Sequence, residues 1–377
     1  MEWLVNLIYY VVPFLVVLGV LVFVHELGHY VVAKLSGVSV EAFSIGFGKE
    51  LWGFTDKSGT HWKISAVPLG GYCQFLGDGD ASSSTGGEVE LTDDQKKHAF
   101  SYQKPYKKLL IALAGPAANY LFAIVVFAGV FFFIGKLVFP PIVGEALEGG
   151  AAKQAGIMAK DRILSINGRE VENFDDVRKE VELNTREKIE VKVLRGEKTL
   201  TFKFPLKKMA RPVEDNTLVK EPKPMLGVRS VNSVEVKQLN LNVFEALRDG
   251  AKEAWSITEA TLRGVGQMIT GERSSDELGG VIRIAELSGD ITREQGLLNL
   301  LVFMSLLSVN LGLINLFPIP LLDGGHVVIY LIETVTRREI NEKVKDWLFK
   351  IGFALLISLM IFATWNDIVR LVKRWFD

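Results

Sequence analysis

Apolar residues gather in four long runs, at residues 4–35, 109–139, 297–317 and 348–372. Each holds the roughly 20 apolar residues that a helix needs to cross a bilayer. One such run could be a buried core helix; four predict membrane spans. The period changes between them. Residues 38–76 are rich in glycine and aromatics and read as four short strands, 40–45, 51–55, 62–67 and 72–76, with a hairpin turn at Asp56-Lys57-Ser58-Gly59. Residues 77–89 form a polar glycine- and serine-rich tract that predicts a mobile linker. Residues 142–206 alternate apolar and polar positions over 162–167 and 189–194. A turn at Asn167-Gly168 and a helical pattern over 174–183 complete a small α+β domain. A connector rich in proline and lysine, 207–224, leads to an amphipathic helix over 243–269. Its stripe of Phe244, Leu247, Ala251, Ala254, Trp255, Thr258 and Leu262 is expected to pack on the soluble domain or lie on the membrane surface.

Charge adds orientation. Lys34, Lys104, Lys107 and Lys108 flank the loop after the first run, and Arg337, Arg338, Lys343, Lys345 and Lys350 precede the fourth. Basic residues at span ends favour the cytoplasm, so both loops are expected there and the N-terminus outside. Arg370, Lys373 and Arg374 near the C-terminus oppose this. The first run opens Met1-Glu2-Trp3, without basic residues or a following small-x-small cleavage site, and is expected to be a retained span. A net charge of -1 argues against nucleic acid as a partner. One cysteine, Cys73, excludes an internal disulfide and a zinc site built on several thiolates.

The strongest chemical signal is His25-Glu26-Leu27-Gly28-His29. On a helix the two histidines share a face and can bind one Zn²⁺, while Glu26 reaches toward the same place without being a ligand. The motif sits inside an apolar helix, where each ionisable side chain costs about 2.5–3.5 kcal/mol. A metal offsets that cost. Hydrolytic zinc needs a third protein ligand and an open position. The third run ends in Asn315-Leu316-Phe317-Pro318-Ile319-Pro320-Leu321-Leu322-Asp323-Gly324-Gly325-His326. Pro318 and Pro320 break the helix, and broken backbone at membrane depth survives only against protein or a wet cavity. Asp323 beyond the break is either the third ligand or the cap of the next helix; His326 stands behind it as ligand or supporting residue. Glu333 and Glu286 are the rival third ligands. A zinc transporter or an inactive scaffold is the alternative to an enzyme, and Glu26, a general base that transport does not need, speaks against it.

These motifs together resemble those of the site-2 protease family of intramembrane zinc metalloproteases, in its RseP-type bacterial form. His25, Glu26 and His29 match its HExxH, and Asn315, Pro318, Pro320, Asp323, Gly324 and Gly325 resemble its NxxPxPxLDGG element. Ala114-Gly115-Pro116-Ala117-Ala118-Asn119 resembles its GPxxN segment, and Pro68-Leu69-Gly70-Gly71-Tyr72 its membrane-associated β-hairpin loop. Residues 142–206 look like a single PDZ domain, through Ala155-Gly156-Ile157, Asp161-Arg162-Ile163-Leu164 and Ile166-Asn167-Gly168. Residues 279–285 resemble a further family stretch, with Val281 where proline is common. Some members carry two PDZ domains in tandem, and this chain has room for one.

The fold expected is a polytopic α-helical membrane protein of four transmembrane helices, with a membrane-associated β-hairpin or sheet and an inserted α+β PDZ domain. Its expected parts are a first span with the zinc motif (1–36), the β region (37–76), a cytoplasmic linker (77–105) and a second span (106–139). The PDZ domain (142–206), a connector with the amphipathic helix (207–290) and a third span with the last ligand (296–326) follow. A cytoplasmic helix and fourth span (327–377) end the chain. The resemblance implies Zn²⁺ held by His25, His29 and Asp323, with Glu26 as general base. Asn315, Pro318 and Pro320 are expected at the substrate, and the strand at 62–67, with Ile64 and Ala66, is expected to offer it a pairing edge. Implied partners are the lipid bilayer, single-span membrane substrates such as anti-sigma factors or remnant signal peptides, and a peptide C-terminus at the PDZ domain. The implied location is the bacterial inner membrane, with the active site near the cytoplasmic side and the PDZ domain in the periplasm.

Overall fold

The computed structural model describes residues 2–77, 91–209, 223–230, 237–275 and 279–376. The polar tract at 77–89 and the connector at 207–224 thus lie almost wholly outside the described residues. The chain divides into two compact units, one of residues 1–127, 250–258 and 275–377, the other of 128–249 and 259–274.

Helix α1 (Glu2–Leu35) is apolar on all sides rather than along one stripe, the mark of a helix surrounded by apolar material. It ends where Gly37 takes φ +79° and the Val38 N–H returns 2.9 Å to the Ala33 carbonyl, a glycine stop that satisfies the last free carbonyls. Strands β1 (Val40–Thr55) and β2 (His61–Phe75) follow. They are long and bent, so each expected pair of short strands is one continuous element. Register makes four ladder segments of them. Residues 42–45 face 71–74 on one side and 61–64 on the other, and 52–55 cover the far side of 61–64. The turn closes on Asp56, whose carboxylate accepts from the Ser58 and Thr60 backbone N–H groups, Trp62 Nε1 and the Tyr30 hydroxyl of α1. These donors outweigh the upward push of desolvation and hold the Asp56 carboxyl below its usual range.

Short helix α2 (Asp93–His98) starts at a capping box on Thr92, and α3 (Pro105–Phe133) carries proline in its first turn, where no amide partner is lost. A buried cluster of Ala33, Val38, Val40, Phe75, Phe100 and Ile111 joins α1, the sheet and α3.

The second unit begins with β3 (Lys136–Val138), β4 (Val143–Ala146), α4 (Ala151–Gln154), β5 (Arg162–Ile166), β6 (Arg169–Glu170), α5 (Phe174–Glu182), β7 (Lys188–Arg195) and β8 (Lys198–Pro205). Short strands β9 (Lys207–Met209), β10 (Lys223–Met225), β11 (Val228–Ser230) and β12 (Lys237–Leu239) pair with β10, β9, β4 and β3 in turn. The main sheet runs β6-β5-β7-β8. Along β7, Ile189, Val191 and Val193 are buried while Lys188 and Lys192 are exposed, the period-two pattern of a half-buried strand. Asn167 and Gly168, both at positive φ, make the two-residue turn between β5 and β6. Under the sheet, buried Asp161 takes two bonds from Arg195, at 2.7 and 2.8 Å. Helix α6 (Val243–Ile269) leads back, with residues 250–258 belonging to the first unit.

The first unit closes with α7 (Val281–Glu294), α8 (Gly296–Asn315), α9 (Asp323–Thr336) and α10 (Glu342–Phe376). Among the described residues, four helical segments are long and apolar enough to cross a membrane: Ile8–Leu35, Pro105–Phe133, Gly296–Asn315 and Glu342–Lys373. Helices α1 and α3 meet at small residues. A Cβ on Gly28 would overlap the Ala114 carbonyl and stand 2.7 Å from Ala118 Cβ, so only glycine allows this approach.

Candidate metal centre

His25 and His29, one turn apart on α1, hold their Nε2 atoms 3.3 Å apart. Asp323 reaches them from the first residue of α9. After α8 ends, Pro318 and Pro320 stop the helix, and Leu321 takes φ +95°, which costs a residue with a side chain about 1–3 kcal/mol. The loop folds tightly over the new helix: a Cβ on Gly324 would overlap the Phe317 carbonyl, and one on Gly325 would stand 2.7 Å from Pro320 Cα. This turn sets Asp323 Oδ2 3.0 Å from His25 Nε2 and Oδ1 3.4 Å from His29 Nε2. Leu322 occupies the cap position of α9, with no side-chain cap bond. The Asp323 carboxylate is thus turned to α1 and not to its own helix.

The other ring nitrogens are also engaged. His29 Nδ1 lies 2.8 Å from the Ile111 carbonyl, which can only accept. His29 therefore carries a proton on Nδ1, which makes Nε2 the atom that binds a metal when the ring is neutral. His25 Nδ1 lies 3.0 Å from Asn119 Nδ2. A cavity of about 210 Å³ opens over the cluster, lined by Glu26, residues 71–75 of β2, Phe100, Ile111, Ala112, His326 and Tyr330. Glu26 accepts a hydrogen bond from the Cys73 backbone N–H.

The three residues fit a zinc ion. Asp323 Oδ2 is buried and has no hydrogen-bond partner, although an imidazole nitrogen stands 3.0 Å away. One donor atom from each of the three residues lies within 4.8 Å of the others, so they converge on a single point. Zinc bonds of about 2.0–2.2 Å in a tetrahedron imply ligand separations of about 3.3 Å, and the cluster shows 3.0, 3.3 and 3.4 Å. The donor set of two imidazoles and one carboxylate is one that catalytic zinc uses.

The structure does not bring every expected site residue to this cavity. Asn315 ends α8 and, with Pro318 and Pro320, lies outside the lining; the prolines shape the turn that delivers Asp323. The strand at 62–67 is not the pairing edge expected of it. Ile64 faces Ile45 on one side and Trp52 on the other, so its backbone is already paired, and neither it nor Ala66 lines the cavity. The edge beside Glu26 is 71–75. His326 stacks on Tyr330 and leans on Phe349. The rival ligands are engaged elsewhere, Glu333 with Lys345 at 2.8 Å and Glu286 with Arg370 at 2.9 Å. Sequence reasoning assigned no role to the Ile111 carbonyl, the Cys73 N–H, Gly115 or Asn119. For the last two the only signal was the GPxxN-like stretch.

An HExxH pair on one apolar helix, joined by a carboxylate from another and overlooked by a glutamate, defines a zinc metalloprotease among membrane-type helices. The model of peptidase family M50 matches residues 13–359, and the chain belongs to that family. It is 39% identical over 366 residues to a protein of Agrobacterium fabrum named "Putative zinc metalloprotease Atu1380", covering 96% of both chains. A Rhizobium meliloti protein of the same description is 38% identical over 96% of this chain and 97% of its own. "Metalloprotease MmpA" of Caulobacter vibrioides is 34% identical over 95% of each. Zinc is the metal of the family, and the chain is a zinc metalloprotease.

Proposed function

We propose that this metalloprotease cuts single-span membrane proteins, such as anti-sigma factors or remnant signal peptides, within or beside the bilayer of a bacterial inner membrane. The observation that carries this reading is the placement of the HExxH pair inside Ile8–Leu35, a helix apolar enough to span. Substrate brought there comes from the membrane. His25, His29 and Asp323 hold the zinc. Zinc, when bound, supplies Lewis acidity toward water and the scissile carbonyl. Glu26, steadied by the Cys73 N–H, takes the proton of the attacking water and delivers it to the leaving amine.

A helical substrate must be unwound before it is cut, because its carbonyls are already bonded. The edge at 71–75 can hold it extended by strand addition. Cys73 directs its N–H toward Glu26, so the outer side of this strand faces the cavity and not 42–45. On the sheet, Leu51, Trp52, Phe54 and Ile64 are exposed apolar residues, which supports a hairpin dipped into lipid. The α+β unit reads as a single periplasmic PDZ domain that excludes bulky outer domains or receives a peptide C-terminus, and the basic loops support an active site toward the cytoplasm.

Glu26→Gln tests the reading. The variant and the parent chain are assayed for zinc content and for cleavage of a model membrane peptide. The variant is expected to keep zinc and to lose about 10²–10⁴-fold in cleavage. Cleavage at the parental rate would refute the mechanism.

A further inference from the structure

Asn119 is fully buried on α3, and its backbone carbonyl is pinned by the Ser308 hydroxyl of α8 at 2.9 Å. Its Nδ2 faces His25 Nδ1 at 3.0 Å, while its Oδ1 is buried with no partner. An amide nitrogen only donates, so this pose makes Nδ1 an acceptor and puts the single proton of a neutral His25 ring on Nε2. That is the atom turned toward Asp323 and His29. A protonated Nε2 cannot bind a metal. A half-turn of the amide exchanges its ends. Oδ1 then accepts from Nδ1–H, and the Nε2 lone pair is free. The ring stays neutral, because one proton leaves Nε2 and one is taken up at Nδ1.

We propose that Asn119 is the positioning residue that sets the tautomer of His25, its side-chain oxygen facing Nδ1 whenever the zinc site is filled. The inference rests on the reading of His25, His29 and Asp323 as the zinc site. Its two histidines are then served differently. His29 is fixed by a backbone carbonyl that has no other orientation. His25 depends on a side chain that can present either a donor or an acceptor, so amide orientation and metal occupancy are linked.

The test measures zinc affinity of the full-length protein by chelator competition, and the visible spectrum of the Co²⁺-substituted form, for Asn119→Leu, Asn119→Asp and His25→Ala. Melting of each metal-free chain controls for folding, and Asn119→Ala serves as a second deletion where the leucine variant does not accumulate. The deletion is expected to weaken zinc binding about 10- to 100-fold and to change the cobalt spectrum. Asn119→Asp, which presents an oxygen in either orientation, is expected to restore both. Deletion without loss of affinity, while His25→Ala loses zinc, would overturn the role of Asn119 and leave the site standing. Equal loss in the aspartate and deletion variants would reduce Asn119 to a packing residue and also overturn the proposal. Zinc retained by His25→Ala would overturn the site assignment and the proposal together.

Discussion

Gly115 of α3 faces the two histidines so closely that a single methyl group there tests the geometry of the site. A Cβ would overlap His29 Nε2 and stand 2.7 Å from His29 Cε1 and 2.8 Å from His25 Cε1. Ordinary contact begins near 3.4 Å, so the rings must retreat by at least about 0.7 Å (3.4 less 2.7). The helices cannot part to make room without opening the contact between Gly28 and Ala114. Catalytic constellations tolerate about 0.5 Å, and a 1 Å error can cost about 100-fold. Gly115→Ala is therefore expected to lower kcat/KM by about 10- to 100-fold, or about 1.4–2.7 kcal/mol, and to weaken zinc binding. Overpacking itself costs about 1–3 kcal/mol. Gly19→Ala on α1, with nothing within 4 Å of the added carbon, is the control and is expected to leave activity unchanged. The assay is cleavage of a reconstituted membrane peptide together with zinc per chain. Gly115→Ala with full zinc and full activity would refute the placement of α3 against the histidines.

Strand addition at 71–75 predicts a cross-linking pattern. Cys73 is the sole cysteine, so disulfide trapping of single-cysteine substrates by the Glu26→Gln chain should favour alternate substrate positions; a period of three to four would show a bound helix instead. In the second unit, burial would raise the Asp161 carboxyl, but Arg195 and the Met158 N–H together hold it below its usual range. Its contribution to stability is present above the unfolded value of about 3.9 and is lost as pH falls through the lower folded value. Arg195→Met should destabilise the second unit, because it removes the guanidinium that holds the buried Asp161 carboxylate. It should also move acid unfolding to higher pH, read by hydrogen exchange in β5 and β7; unchanged protection would contradict the pairing.

What could be read in the sequence was what depends on local period. The four apolar runs became helices because length and hydropathy decide that alone, and the amphipathic stripe ended at Val243 and Ile269 as expected. His25 and His29 were legible because spacing on one helix fixes a shared face. Asp323 was half legible: the prolines announced a break, but whether its carboxylate served α9 or α1 needed the turn at Leu321. The sheet edge beside Glu26 could not be read. Its four segments were visible, yet which of them lie outermost is decided by pairing between residues up to 35 apart, as in Val40 with Phe75. Asn119 and the Ile111 carbonyl lie 94 and 82 residues from the histidines they serve, beyond any local pattern.

The charges at the site argue that a bound metal holds the fold together here. Asp323 and Glu26, when ionised, place two negative charges beside the two imidazoles in an apolar helix pair, and the described contacts bring no lysine or arginine to them. One Zn²⁺ balances both. Without it, Asp323 keeps only the two imidazoles beside it, and the strained turn at Leu321 loses its metal-mediated tie to α1. Breaking a buried charge pair costs about 3–5 kcal/mol; Asp323 keeps a fifth of its side-chain surface exposed, so the lower figure applies. Chelation should therefore speed hydrogen exchange in residues 316–326 about 100-fold or more, leave β7 unchanged, and reverse when zinc is returned. Equal protection with and without the metal would mean that the turn is held by its prolines and glycines alone.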